Sequence, residues 1–336
     1  MLRVYFTAED LTRVRVAPGA DVLWEISNSF QTLQRSDGTR EFGEWRRWVR
    51  PRLSDSCLLL SPLLPPRGYS PDFLTPTRGD CGTLQAAVDT LLRTPAARLR
   101  TDLARAAAVR RLPRWTGPLA RGDNEALLRL GRAVRTYHRE ALEPFWHRIS
   151  AQIDADRMVR LNTLLEGGTE ALLSGLGAHI RWRPPVLEAP YPVDHTIHLG
   201  GRGVTLQPSF FCWPTPFTLA DPELPPVLGY PIRRDSDWLR PATAGRSGGA
   251  LGRLLGHTRA AVLRASLTGC STVELARLLG VTHPAVSQHI GVLRDAGLVS
   301  TVRLEGRSLH VATAAGRALL RGAEPPVPDL DVPGRI

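Results

Sequence analysis

The sequence predicts a mainly helical α+β protein, in which an N-terminal helical region with a small β region precedes a small C-terminal unit. Three observations support this fold class. Apolar residues recur at helical spacing between residues 84 and 176. Short alternating apolar runs near the N-terminus and in residues 180–234 are typical of strands. Residues 251–321 follow the pattern of helix, turn, helix and two short strands.

Residues 1–179 are predicted as the mainly helical region, and their apolar stripes are interpreted as packed core. The elements predicted up to residue 82 are a strand at 2–6, a short helix capped by Thr7 and Asp10, helices at 20–34 and 41–49, and a loop at 61–82. Beyond residue 84, Thr94-Pro95 is expected to begin one helix and Asp123 to cap another. A further helix follows Pro144 and is expected to end at Gly167-Gly168.

Residues 180–240 are predicted as a small β region packed on these helices. The apolar runs 196–199 and 204–206 flank Gly200–Gly203, and this arrangement predicts a hairpin. A nearby aromatic group indicates either core or the lining of an apolar ligand pocket; its members are Phe210, Phe211, Trp213 and Phe217. The remaining predicted segments are a linker at 241–250 and a disordered tail at 322–336.

Residues 251–321 are the most informative stretch. Ser271 and Glu274 have the S-x-x-E spacing of a capping box, which begins a short helix. Gly280 is expected to end that helix in a tight turn, Thr282 to cap the next helix, and Gly297 to end it in the left-handed conformation. The positions predicted to face inward are Leu275, Leu278 and Leu279 in the first helix and Ala285, Val286, Ile290 and Leu293 in the second.

Two helices joined by a tight turn and followed by a β-hairpin are typical of a winged helix-turn-helix domain. In such domains the second helix enters the major groove of DNA through its N-terminal residues. Glutamine pairs with the edge of adenine, and arginine binds phosphate. The candidate DNA-binding residues are Thr282, His283, Ser287, Gln288, His289, Arg294, Arg303 and Arg307.

The charge balance agrees with a nucleic-acid partner. The 336-residue chain has 43 basic residues, all of them arginine, and 32 acidic residues, for a net charge of +11. Residues 251–322 contain nine arginines and three acidic residues, so the charge and the motif coincide. With 43% apolar residues the chain can also bury a core.

The stretch ELARLLGVTHPAVSQHIGVLRDAGLV, residues 274–299, with the strands that follow it, resembles the ArsR-type family of bacterial transcription regulators. The long N-terminal part is similar to that of a group of long actinobacterial members. The resemblance implies a dimeric winged-helix DNA-binding protein, usually a repressor released by its inducer. Ser287, Gln288 and His289 match the polar stretch of the family's recognition helix.

No catalytic, cofactor or metal site is predicted. Family members that sense metals often carry Cys-x-Cys before the recognition helix, whereas this chain reads Val273–Ala276 there and Cys270 stands alone. Two alternatives stay open, an enzyme in residues 1–240 and a winged helix that binds protein. We expect instead a homodimeric regulator of an operator, in which residues 1–240 dimerise or sense a small organic effector.

The chain is expected to be cytoplasmic and to have no membrane partner. Its longest apolar stretch, residues 57–64, is well short of the about 20 residues that a membrane span needs. The N-terminus lacks the apolar segment of a signal peptide. The four cysteines form no CxxC pair, which fits a reducing compartment; they are Cys57, Cys81, Cys212 and Cys270.

Overall fold

Two compact units make up the part of the chain that the computed structural model describes. The N-terminal unit spans Met1–Leu239, and the C-terminal unit is described from residue 247 onward. Both combine helices with small sheets, so the predicted fold class is confirmed. No helix in the described ranges is long and apolar enough to cross a membrane. These ranges are residues 1–76, 83–177, 179–239, 247–304 and 307–322.

Helices build most of the N-terminal unit. They are α1 (Ala8–Thr12), α2 (Val22–Gln34), α3 (Thr39–Val49), α4 (Leu84–Leu92), α5 (Ala96–Val109), α6 (Thr116–Ala120), α7 (Asn124–Tyr137) and α8 (Trp146–Ser174). Their apolar sides meet in one core, where Phe30, Trp45, Leu130 and Ile149 are at most 3% exposed. Burying each such side chain stabilises the fold by about 1.5–3 kcal/mol, so packing holds these helices in place.

Two of the three helix caps predicted in this unit are confirmed. Thr7 and Asp10 form a capping box, and the carboxylate of Asp123 accepts the backbone N–H of Ala126 at 2.9 Å. The Thr94 prediction is wrong, because α5 starts at Ala96 and Pro95 holds the cap position. The Thr94 hydroxyl instead donates to the carbonyl of Leu91 at 2.7 Å, at the end of α4.

The helix that follows Pro144 ends at Gly168 as predicted, and a second, short helical stretch follows it within the range of α8. The backbone of Gly168 has φ +67° and ψ −169°, outside the helical region, and the chain then continues as helix to Ser174. Ile149 and Ile153 are fully buried, but Leu165 is 84% exposed. Of the expected apolar stripe, Ile149 and Ile153 therefore face the core, whereas Leu165 faces solvent.

The strands of the N-terminal unit form two four-stranded sheets. They are β1 (Leu2–Tyr5), β2 (Val14–Val16), β3 (Arg181–Arg183), β4 (Val186–Ala189), β5 (His195–His198), β6 (Val204–Ser209), β7 (Phe217–Thr218) and β8 (Val227–Pro231). One sheet has the order β3-β4-β1-β5, and the other has the order β2-β6-β8-β7. Each sheet contains a strand from the N-terminus, so residues 180–240 are not a separate region, and the boundary predicted at residue 180 is wrong.

The predicted hairpin at Gly200–Gly203 is also wrong. Strand β5 pairs parallel to β1, and β6 pairs parallel to β2, so the two runs belong to different sheets. The turn between them packs on α1. The carboxylate of Asp10 accepts the backbone N–H of Gly203 at 2.8 Å, and Arg13 donates to the carbonyl of Gly201 at 2.6 Å.

The C-terminal unit packs helices around a three-stranded sheet of order β10-β11-β9. Its core includes Val262, Leu263 and Leu275, all fully buried. Residues 247–250, predicted as linker, belong instead to a helix, whereas 241–246 and the tail from residue 323 lie outside the described residues. The elements are α9 (Ser247–Leu255), α10 (His257–Ala265), β9 (Cys270–Ser271), α11 (Thr272–Leu279), α12 (His283–Asp295), β10 (Val299–Leu304), β11 (Arg307–Ala312) and α13 (Ala314–Gly322).

Candidate nucleic-acid interface

Helix α11 begins and ends at the predicted residues. The hydroxyl of Ser271 accepts the backbone N–H of Glu274 at 3.3 Å, and the Glu274 carboxylate accepts the N–H of Ser271 at 2.8 Å. Gly280 ends the helix with φ +65°, a conformation that glycine adopts without strain. The inward orientation predicted for Leu278 is wrong, since it is 67% exposed. Ala276, not Leu278, shares the buried side with Leu275.

Helix α12 turns one side to the core and the opposite side to solvent. Val286, Ile290 and Leu293 are at most 4% exposed. Because successive residues are about 100° apart around a helix, Gln288 lies on the side opposite these three, and it is exposed. The periodicity in the sequence therefore places Gln288 at the centre of the exposed face.

Both ends of α12 are defined by specific residues. Pro284 occupies the first turn, where its missing N–H needs no partner. At the other end the N–H of Gly297 donates to the carbonyl of Arg294, and the N–H of Leu298 donates to that of Leu293, both at 2.8 Å. With Gly297 at φ +69°, this is a Schellman motif, which confirms the predicted left-handed cap.

The candidate residues at the start of α12 are mostly accessible. Thr282, His283 and Ser287 are exposed like Gln288, whereas His289 is half-buried on the flank of the helix. Thr282 precedes the helix as predicted, but its side chain makes no capping hydrogen bond. Uncharged polar groups on an exposed helix start are suited to contact base edges.

The wing consists of β10 and β11. Arg303 is exposed and lies opposite Ser308 in the antiparallel register. Arg307 lies opposite Leu304, but its side chain is outside the described residues, as are Glu305 and Gly306.

Arg294 adds a third basic candidate, near the end of α12. It is exposed, and its Nε lies 3.8 Å from the carboxylate of Asp295. Exposed ion pairs of this kind contribute about 0–1 kcal/mol to stability, so little free energy is lost when the arginine binds a phosphate instead.

His310 joins the first turn of α11 to the wing, and the sequence does not reveal this role. Its side chain is buried, with Nε2 2.9 Å from Oγ1 of Thr272 and Nδ1 3.0 Å from Oγ1 of Thr301. Burial lowers the pKa of His310 below its usual value, and the positive charge of Arg294 lowers it further. The neutral imidazole therefore holds the wing against the helix pair.

The three cysteines that the structure describes are divided between the two units. Cys57 and Cys212 are buried in the N-terminal unit, and Cys270 is half-buried in the other, while Cys81 lies outside the described residues. The thiol of Cys270 donates to the carbonyl of Ala265 at 3.4 Å, and burial raises its pKa. Among the described residues no group of three or more His, Cys, Asp or Glu side chains is arranged to hold a metal ion.

A comparison with known proteins supports the assignment of α11 and α12 to a helix-turn-helix. A family model described as a helix-turn-helix domain matches residues 254–302, which include α10, α11 and α12. No curated protein and no solved structure matches the chain. Residues 254–302 are therefore similar to a helix-turn-helix domain, and this similarity supports a DNA-binding regulator.

Proposed function

We propose that this chain is a sequence-specific transcription regulator of the ArsR type, which binds a double-stranded DNA operator. The exposed polar start of α12, with Gln288 at its centre, carries the proposal. Arg294 and Arg303 supply positive charge in the same unit. Residues 240–336 contain no Trp, Tyr or Phe. Since aromatic residues are enriched at protein interfaces, DNA suits this unit better than a protein partner does.

The proposed active form is a cytoplasmic homodimer that represses transcription. Two symmetry-related recognition helices bind half-sites about one helical turn of DNA apart. A dimer thus reaches a specificity that a single short helix lacks. An effector that binds one dimer geometry better than the other then changes the affinity for DNA.

The N-terminal unit is proposed to hold the dimer or bind a small organic effector, rather than to catalyse a reaction. Of the aromatic group singled out above, Phe210 and Phe211 are at most 1% exposed and belong to the core. Trp213, with Ile180 and Ile232, lines a surface cavity of about 220 Å³. This is below the ~300–1,000 Å³ of drug-sized sites, so a compact effector suits it.

Binding of the full chain to the DNA upstream of its own coding region tests the proposal. In fluorescence polarisation at several salt concentrations, we expect affinity for that duplex about 1,000-fold or more above a random duplex of equal length. Equal affinity for both would contradict sequence-specific binding. Light scattering with and without DNA tests the dimer, and a monomer in both states would contradict it.

A further inference from the structure

The segment from α5 to α7 is more basic than the helix-turn-helix unit itself. Between Ala96 and Tyr137 the chain has ten arginines and three acidic residues in 42 positions. Residues 251–322 have nine arginines and three acidic residues in 72 positions. The N-terminal unit thus carries a high density of positive charge in this segment, and packing of the apolar core does not require that charge.

Some of these arginines have internal roles. Arg98 donates from Nε to the carboxylate of Asp102 at 3.2 Å, and Arg105 lies 3.6 Å from the carboxylate of Asp72. Arg110 donates to backbone carbonyls of residues 62–69, before α4, among them that of Tyr69. Six others are exposed and make no ion pair with any residue that the structure describes; they are Arg100, Arg111, Arg114, Arg121, Arg129 and Arg132.

These six arginines, here called the basic surface, follow one another along α5, α6, α7 and the connections between them. Arg100 lies on α5, and Arg129 and Arg132 lie on α7. The connections carry the other three: Arg111 and Arg114 between α5 and α6, and Arg121 directly after α6. Helix α5 packs on α6, and α6 packs on α7. Arg129 and Arg132 are one turn apart on the exposed side of α7, whose other side buries Leu127 and Leu130. Like charges so close to one another repel, and an anionic partner relieves that repulsion.

We propose that the basic surface binds the sugar–phosphate backbone of double-stranded DNA, beside the segment bound by the C-terminal unit. The guanidinium group of arginine matches phosphate through two parallel hydrogen bonds. The proposal rests on the proposed function, since α12 brings the duplex to the same chain. A covalent connection raises the effective concentration of the second contact, so even weak phosphate binding adds to the total affinity.

The test compares two variants of the full chain, each with four substitutions. One removes part of the basic surface and carries Arg111→Gln, Arg114→Gln, Arg129→Gln and Arg132→Gln. The matched control removes four exposed arginines of the same unit that also lack described ion pairs; it carries Arg15→Gln, Arg40→Gln, Arg47→Gln and Arg181→Gln. Both variants remove the same amount of positive charge. Binding is measured on upstream duplexes of about 20 and 60 base pairs, since only the longer one extends well beyond two half-sites about one turn apart.

On the long duplex we expect the first variant to bind at least about tenfold more weakly. Its log–log salt slope should fall by about 2–4, because each bound phosphate accounts for ~0.9 of the slope. The control should keep the wild-type preference for the long duplex. Equal weakening in both variants would reveal a general charge effect and overturn the proposal, as would wild-type binding by the first variant.

Two further arms separate the remaining outcomes. If the four substitutions in the basic surface lower the midpoint of urea unfolding, measured by Trp fluorescence, the pairs Arg111/Arg114 and Arg129/Arg132 are substituted in separate variants. Loss of binding to phosphatidylserine vesicles without loss of binding to DNA would overturn the proposal in favour of a membrane surface. The Gln288→Ala variant tests the proposed function independently, because its discrimination between upstream and random DNA does not depend on the basic surface.

Discussion

The carboxylate of Glu25 accepts the backbone N–H of Phe210, and its second oxygen accepts that of Phe211, both at 3.0 Å. Glu25 lies on α2 and is fully buried. The two hydrogen bonds connect α2 to the residues that directly follow β6. These two parts of the chain lie near opposite ends of the N-terminal unit in sequence. Burial raises the pKa of Glu25 to about 7, although both hydrogen bonds lower it.

Glu25 is therefore expected to make the N-terminal unit less stable as pH rises. Its folded pKa of about 7 lies above the ordinary 4.5, so its contribution is complete below pH 4.5 and is lost as pH rises through 7. At 1.36 kcal/mol per pKa unit this amounts to about 3 kcal/mol. All eight tryptophans lie before residue 240, so urea unfolding followed by Trp fluorescence reports on this unit alone.

The Glu25→Gln variant isolates this effect. The difference in unfolding free energy between wild type and variant should change by about 3 kcal/mol between pH 4.5 and pH 8. Glu44→Gln, at an exposed position on α3, is the control and should leave the pH dependence unchanged. A constant difference between wild type and Glu25→Gln would show that the Glu25 carboxyl titrates normally.

His310 is expected to give the C-terminal unit the opposite pH dependence. Its folded pKa lies below 6.5, so its contribution is complete above pH 6.5 and is lost as pH falls through the folded pKa. The C-terminal unit contains no tryptophan. Its unfolding is therefore followed by far-UV circular dichroism, as the loss of helix signal that is not accompanied by a change in Trp fluorescence. We expect this transition at lower temperature at pH 5 than at pH 7.5, and His310→Gln should reduce the difference. His283→Gln, at an exposed position, should retain it.

Local features of the fold could be predicted from the sequence, and long-range ones could not. A cap depends on residues three or four apart, so the Ser271–Glu274 box and the Asp123 cap were predictable. Strand β5 pairs with β1 at the other end of the unit, and no local pattern indicates that partner. The glycines at 200–203 therefore suggested a hairpin where the chain changes sheets.

The candidate site divides in the same way. The outward position of Gln288 follows from helical periodicity alone. The bridge through His310 depends on the wing folding back to α11, which a sequence pattern cannot show. The exposed arginines of α5–α7 could have been noticed by counting charge in shorter segments, but only the structure separates them from Arg98, Arg105 and Arg110, which bind internal partners.

Soft metal ions are not expected to release the protein from DNA through Cys270. Its neighbour across the sheet is His310, but both imidazole nitrogens already face threonine hydroxyls. A closed thiolate site needs about four ligands at one point. The measurement is a titration of Zn(II), Cd(II) and As(III) against the reduced protein bound to its operator. Stoichiometric release that Cys270→Ser abolishes would contradict this expectation.

Arg303→Ala is expected to weaken binding to every DNA sequence to a similar extent. A phosphate contact carries no sequence information, and its removal lowers the log–log salt slope by about 0.9. Binding is measured on upstream and random duplexes at several salt concentrations. Arg264→Ala removes another exposed arginine, from α10, and should leave the slope nearer to wild type. An unchanged slope for Arg303→Ala would mean that the wing does not contact the backbone.

Gln288→Ala is expected to reduce discrimination between sequences while leaving non-specific binding nearly intact. Gln288 is exposed on the side of α12 opposite Val286, Ile290 and Leu293, so its amide is free to reach a base edge once the helix enters the major groove. A good base contact is worth about 1–3 kcal/mol, and affinity for the upstream duplex should fall by that amount. Thr268→Ala, in the exposed turn before β9, should change neither affinity. Because α12 buries its other side in the core, an equal reduction on upstream and random duplexes would mean that Gln288 faces a phosphate, and that the helix lies in the groove with a different side towards the bases.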